Sequence, residues 1–194
     1  MFERLVAMML FILLLPLLVP LYLLIKFTSK GSFLFQQRRM GKNKKTFFIY
    51  KIRTMVKDAE KLKVKYKKLN ESDGPTFKID NDPRYTKIGK FLSHTALDEI
   101  PQLINIIKGE MSFVGPRPLP IGEAKKISKK YEKRFSVLPG MTSLWVVRGT
   151  DHSSFAKWMQ LDLEYIKRKN WQYDLQILIK TGRMVVKFIT NSFK

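Results

Sequence analysis

The chain contains no cysteine, which excludes disulfides, thiolate metal sites and cysteine nucleophiles and leaves the redox compartment open. Histidine is scarce as well. His94 and His152 are the only two, too few for a histidine-rich metal centre, and His152 is assigned no role. Acidic residues are outnumbered, 16 Asp and Glu against 37 Lys and Arg, for a formal charge of +21. So lopsided a balance points to an anionic partner. At 45% hydrophobic residues the chain is too apolar for a disordered basic tail. Its 194 residues suit one compact domain with an appendage.

Charge is also missing from one long stretch. Leu5 to Ile25, LVAMMLFILLLPLLVPLYLLI, carries none, and about 20 apolar residues suffice to cross the hydrocarbon of a bilayer. The segment belongs in a membrane. A cleaved signal peptide is the competing reading, but no small-residue cleavage site follows, and Lys26, Lys30 and the cationic run beyond them resist translocation. The same cations place the rest of the chain on the cytoplasmic side. Pro16 and Pro20 each remove a backbone donor and crowd the carbonyl four residues earlier, so the helix is expected to kink near its middle. On the residues alone, a kinked span and a re-entrant helix that leaves on its face of entry stand equally open.

After the membrane segment, Phe33–Gln37 and Thr46–Tyr50 are short aromatic and β-branched runs separated by Gly-Lys-Asn-Lys-Lys. They predict a β-hairpin. Its arms carry Arg38, Arg39, Lys51 and Arg53, either a solvated surface for anionic lipid headgroups or a wall for bound phosphate. Residues 57–73 are lysine-rich with scattered apolar positions and read as a connector. Asp80 and Asp82 form an acid pair spaced as in divalent-cation sites, but Asp82-Pro83 is a strong turn former, and the structural turn is the favoured reading.

The richest stretch is HTALDEIPQLINIIKGEMSFVGPRPLP, residues 94–120. Proline suits the first turn of a helix, so one is expected to begin between Asp98 and Pro101 and to end at Gly109. Asp98 and Glu99 then lie at its N-terminus, where unpaired N–H groups favour negative charge. An N-cap role would account for Asp98 alone. A second acid exceeds what a cap needs, and Arg117 follows between Pro116 and Pro118, its backbone restricted on both sides. A carboxylate nucleophile, a cation to neutralise it and fixed positive groups for phosphoryl oxygens are what phosphoryl transfer to a carboxylate requires.

The order of these elements resembles the monotopic phosphoglycosyl transferases, the bacterial sugar transferase family. The resemblance runs over nearly the whole chain. It includes the proline-broken membrane helix, Phe35-x-Gln37-x-Arg39-x-Gly41, Tyr50-Lys51-x-Arg53-Thr54-Met55, Asp82-Pro83-Arg84-x-Thr86-x-x-Gly89, Leu97-Asp98-Glu99-x-Pro101-Gln102-Leu103, Lys108-Gly109-Glu110-Met111-Ser112, Val114-Gly115-Pro116-Arg117-Pro118 and Pro139-Gly140-x-Thr142. It implies an α+β chain. Residues 1–30 would form a re-entrant membrane helix broken at Pro16, and residues 31–194 a cytoplasm-facing catalytic domain with a small β-hairpin and interfacial amphipathic helices. The implied reaction moves a sugar 1-phosphate from a nucleotide diphosphate sugar, usually a uridine one, to polyprenyl phosphate at the inner membrane of a bacterium. Asp98 would be the nucleophile that takes up the phosphosugar, and Glu99 its partner as metal ligand or base. Mg2+ would sit at Asp98 and Glu99, and Lys51, Arg53, Arg84 and Arg117 would contact substrate phosphate.

Two positions depart from the family pattern. The arginine expected five residues before the catalytic aspartate is Ser93 here, and residues 142–150 read Thr-Ser-Leu-Trp-Val-Val-Arg-Gly-Thr without the family's glutamine and closing arginine. Beyond them, the segment from Phe155 to Tyr165 and the mixed aliphatic and cationic stretch Leu175–Phe193 suit either interfacial helices or core packing. Two rival readings remain: a membrane-tethered binder of anionic lipid or nucleic acid, and a catalytically silent family member. Neither nucleic acid binder nor lipid binder accounts for the paired acids, and no nucleic acid partner is expected.

Overall fold

The protein is described from a computed structural model covering residues 1–149 and 154–192. Thr150, His152 and Phe193 lie outside the described residues. The order of elements is mixed: α1 Phe2–Thr28, β1 Leu34–Met40, β2 Thr46–Ile52, α2 Ala59–Lys65, α3 Lys87–His94, α4 Gln102–Lys108, β3 Ser112–Val114, β4 Leu119–Pro120, α5 Ile121–Ala124, β5 Gly140–Thr142, α6 Leu144–Val147, α7 Phe155–Arg168 and α8 Trp171–Ser192. The architecture is α+β, as expected.

α1 is, among the described residues, the helix long and apolar enough to cross a membrane, with a mean hydropathy of 2.8 over its most apolar window. It stays helical through Pro16 and Pro20, so the expected interruption at Pro16 is not a loss of helix. Nor does the helix stand apart. Ala7, Phe11, Leu14, Leu18, Leu21 and Ile25 recur every three or four residues and form one seam packed against the rest of the chain. The upper part of the seam meets Phe47 and Ile49 of β2 and Ile100, Leu103 and Ile106 around α4, while Ile25 meets Ile52 and Leu92. Polar contacts hold both ends. Ser112 Oγ donates to Glu3 at 3.0 Å, and the Arg53 guanidinium donates to the backbone carbonyls of Ser29 and Lys30. The opposite face, including Ile12, Leu13, Val19 and Leu23, is exposed.

β1 and β2 form the expected antiparallel hairpin, in register from Leu34 opposite Ile52 to Met40 opposite Thr46, and β4 adds to the other edge of β1. Its turn uses Asn43 and Lys44 at positive φ. Asn105 of α4 is fully buried and substitutes for a neighbouring strand: its Oδ1 accepts from Tyr50 N at 3.1 Å and its Nδ2 donates to Phe48 O at 2.7 Å. A buried amide with both ends satisfied fixes orientation as well as distance. Lys51, next along β2, is thereby set beside the turn that leads into α4.

β3 and β5 run parallel, Ser112 opposite Gly140 and Val114 opposite Thr142. Gly115 and Gly140 face each other so closely that a Cβ on Gly140 would lie 2.0 Å from Gly115 N. Only two glycines permit this approach. α7 buries Phe155, Met159 and Tyr165, so core packing is the correct reading for that segment. α8 instead buries Ile177 and leaves Trp171, Leu175, Ile179 and Val186 exposed.

Candidate active site

The acid pair does not begin the helix as expected. α4 starts at Gln102 with Pro101 as its N-cap, and Leu97–Glu99 form a separate 3-10 turn in front of it. Asp98 makes no capping hydrogen bond, which removes the helix-cap explanation for its presence. Gly109 does close the helix in the left-handed conformation, with φ of 77°. Entry to the turn is set by Ala96, which has φ of 57° although it carries a Cβ. A non-glycine residue in this region costs on the order of 1 kcal/mol, and such strain persists only where the surroundings enforce it.

The two carboxylates are placed differently. Asp98 is buried, its side chain 5% exposed, and its polar contact with Lys51 Nζ is a long one at 3.5 Å. Glu99 Oε1 receives Lys51 Nζ at 2.6 Å and Arg117 Nη2 at 3.2 Å. Burial pushes both carboxyls up, but the outcome diverges. For Glu99 the charges and hydrogen bonds of Lys51 and Arg117 prevail and hold it well below the usual carboxylate range. For Asp98 burial wins over Lys51, helped by the negative charge of Glu99, and it is raised. Glu99 is thus a fixed anion that organises two cations, and Asp98 is a poorly solvated carboxylate with spare acceptor capacity.

Arg117 is presented by a turn whose carbonyls are all engaged. Gly140 N donates to Pro116 O at 3.1 Å, Arg134 Nη2 to Arg117 O at 2.8 Å, and Arg39 Nη1 to Pro118 O at 2.9 Å. Arg134 is itself locked to Asp162 in a pair only 2% exposed on either side, with Nε and Nη2 at 3.0 and 2.9 Å from Oδ2. Burial lifts the Asp162 carboxyl to about 6 against the pull of Arg134.

The structure therefore brings Lys51, Asp98, Glu99 and Arg117 together. Two other expected phosphate contacts are committed elsewhere. Arg84 grips Asp82 through Nε and Nη2, at distances of 2.6–3.1 Å, and donates to Ala59 O. The pair is buried, so Asp82 belongs to a structural turn, as favoured from the sequence, and Arg84 is its partner. Arg53 clamps the C-terminal end of α1 rather than the acid pair. At the departure from the family pattern, Ser93 Oγ and Tyr85 OH are hydrogen-bonded at 3.0 Å. The altered loop forms the short α6, and Arg148 pairs with Glu164 at the surface.

For a divalent cation, no group of three or more acid, histidine or cysteine side chains converges among the described residues. Mg2+ needs fewer. It is held by one or two carboxylates with the remainder supplied by water and substrate phosphates, and the hard oxygens of Asp98 and Glu99, the former underused, fit that requirement. Sequence reasoning placed Arg39 on the hairpin arm as part of a candidate phosphate wall, and its hydrogen bond to Pro118 O brings it to this region. It missed Arg134 and Asp162, which carry no local signal.

Comparison with known proteins identifies the family of the chain. Residues 1–188 match the model of the family described as Bacterial sugar transferase. The chain is 39% identical over 157 residues to the galactosyl transferase CpsE of Streptococcus agalactiae, covering 80% of this chain and 35% of that protein. It is 37% identical over 184 residues to the exopolysaccharide production protein ExoY of Sinorhizobium fredii, covering 93% and 81%. Against the UDP-glucose:undecaprenyl-phosphate glucose-1-phosphate transferase of Escherichia coli it is 34% identical over 184 residues, covering 90% and 37%. The chain thus spans most of one relative and about a third of the other two. On the extent of the family match, this chain belongs to the bacterial sugar transferase family.

Proposed function

We propose that the chain transfers a sugar 1-phosphate from a nucleotide diphosphate sugar to a polyprenyl phosphate, through an aspartyl phosphosugar on Asp98. The observation that carries this is the buried, underbonded Asp98 carboxylate set against Glu99, Lys51 and Arg117. An Asp98 oxygen attacks the β-phosphorus of the donor. The bond from that phosphorus to the bridging oxygen breaks, and nucleoside monophosphate leaves with the electron pair. The lipid phosphate oxygen then attacks the same phosphorus, freeing the Asp98 carboxylate and giving polyprenyl diphosphate sugar. Lys51 and Arg117, held by Glu99, neutralise the phosphoryl oxygens in both steps. Glu99 is too acidic to serve well as a base, and a phosphate monoester already largely ionised at neutral pH needs none. Mg2+ held by Asp98 and Glu99 with the donor phosphates would screen the charge of the diphosphate.

Uridine is the proposed nucleotide, in keeping with the name of the Escherichia coli relative. The proposed setting is the cytoplasmic face of the bacterial inner membrane, with α1 re-entrant. Contacts at Glu3 and at Ser29 with the same domain support this topology, because a straight span would carry its two ends to opposite faces. α8 is proposed to lie in the interface, its exposed apolar side chains interleaved with Lys180, Arg183 and Lys187.

The test uses purified full-length protein, Mg2+ and a panel of uridine diphosphate sugars without lipid. The expected result is a burst of uridine monophosphate no larger than the enzyme concentration and a mass gain of one phosphosugar. Asp98→Asn should abolish both and keep its fold, since it removes a poorly solvated charge and no capping bond. A wild-type burst in a folded Asp98→Asn protein would defeat the covalent mechanism.

A further inference from the structure

Arg39 projects from β1 toward the Arg117 turn and is not accounted for by the chemistry above. Its Nη1 donates to Pro118 O, while its Nε is buried with no hydrogen-bond partner. No carboxylate lies within 4 Å of it among the described residues. Three acids exert their field on it from further off, and all are committed: Glu99 to Lys51 and Arg117, Glu123 to Lys63 at 3.2 Å, and Glu60 to Gln37 at 3.1 Å. The strongest charge acting on it is that of Arg117, another cation. Burial and that like charge together push the Arg39 guanidinium down to about 10.

A partly buried guanidinium beside a second one, without an anion, is a costly arrangement for a protein to hold. An arriving anion would relieve it. Three cations, Arg39, Lys51 and Arg117, stand against two carboxylates, Asp98 and Glu99, so the region has room for negative charge. The Pro118 carbonyl ties Arg39 to the residue that follows Arg117, so one turn anchors both guanidiniums near enough for each to feel the other's charge. Phosphoryl groups, with several oxygens to share, are what two such planar forks bind well.

We propose that Arg39 is a second phosphate-binding guanidinium of this site, gripping phosphoryl oxygens jointly with Arg117. This rests on the reading of the site as a phosphosugar transfer centre. The ligand chemistry is a phosphate ester or diphosphate, brought by the nucleotide donor or by the lipid acceptor.

The experiment compares full-length wild type, Arg39→Gln and Arg39→Lys. It reads kcat/KM for the donor, kcat/KM for the lipid phosphate, and the rise in Tm caused by inorganic pyrophosphate. Losing charge-assisted hydrogen bonds should lower one of the kcat/KM values about 10- to 100-fold in Arg39→Gln, with a smaller loss in Arg39→Lys. The pyrophosphate shift should shrink in both. A loss confined to the donor assigns Arg39 to the diphosphate, and a loss confined to the lipid assigns it to the acceptor phosphate. If Arg39→Gln does not fold, Arg39→Lys decides the matter, because it keeps the charge and a donor for Pro118 but has no fork. Unchanged kcat/KM for both substrates and an unchanged pyrophosphate shift, in whichever variant folds, would overturn the proposal and leave Arg39 as a brace for Pro118. Absence of any turnover in wild type would instead sink the functional reading, while the pyrophosphate shift would still test Arg39.

Discussion

Replacing Arg134 by methionine separates what the Arg117 turn owes to stability from what it owes to function. Arg134 and Asp162 are each 2% exposed, and Arg134 Nη2 serves both Asp162 Oδ2 at 2.9 Å and Arg117 O at 2.8 Å. Arg134→Met strands a buried carboxylate, a defect that costs about 3–5 kcal/mol. For a protein of this size that is a fall in Tm of roughly 6–20 °C. The loss should depend on pH in a definite direction. Asp162 is already raised to about 6 with Arg134 present, and removing the cation raises it further. A raised carboxyl contributes stability that is present at low pH and lost as pH rises through its folded-state value. The deficit of Arg134→Met relative to wild type should therefore be smallest near pH 5 and widen above about 6. Arg134→Met/Asp162→Leu removes the stranded charge and should recover most of the Tm. It does not restore the donor to Arg117 O, so phosphosugar transfer should stay about tenfold or more below wild type. Thermal melts at pH 5 and 8 and initial rates on the three proteins check this. A single variant that loses less than about 1 kcal/mol at pH 8, or a double variant with full activity, would refute the reasoning.

Lys51 pulls the Asp98 carboxyl down against the burial that raises it, so the acidic limb of the nucleoside monophosphate burst should lie above the ordinary aspartate value and move further up in Lys51→Met. Burst amplitude against pH measures this, and a limb that stays in place or moves down would remove Lys51 from the electrostatics of Asp98. For topology, Phe2→Cys and Lys30→Cys, introduced singly into the cysteine-free chain, should both react with a membrane-impermeant thiol reagent from the cytoplasmic side. Labelling of the cysteine at position 2 from the outside alone would establish a span instead.

The hairpin was legible in the sequence because alternating aromatic and β-branched residues met a polar turn, and the strands extend only a few positions beyond the expected runs. The end of α4 was legible for a similarly local reason: Gly109 can adopt a left-handed conformation at no steric cost. Its start was not. Pro101 fits a helix as its first residue or just before it, and only packing decided that Asp98 and Glu99 would form a separate turn. Arg84 and Arg53 sit in strong motifs, yet motif membership gave no warning that one would pair with Asp82 and the other with the end of α1.

The primary structure by itself determined that this protein has a membrane-seeking helix, an excess of positive charge, two adjacent acids and a rigid Pro-Arg-Pro turn, since each is a property of a few neighbouring residues. Tertiary structure alone decided how they combine. In α1 almost every residue is apolar, so nothing local distinguishes the seam from Ala7 to Ile25 from the exposed face; contact with β2 and α4 chose it. Likewise the roles of Asp98 and Glu99 diverge because Lys51, 47 and 48 residues away in sequence, lies nearer to one than to the other. The field at a carboxylate depends on distance in space and on excluded water, and neither is written in the order of the residues.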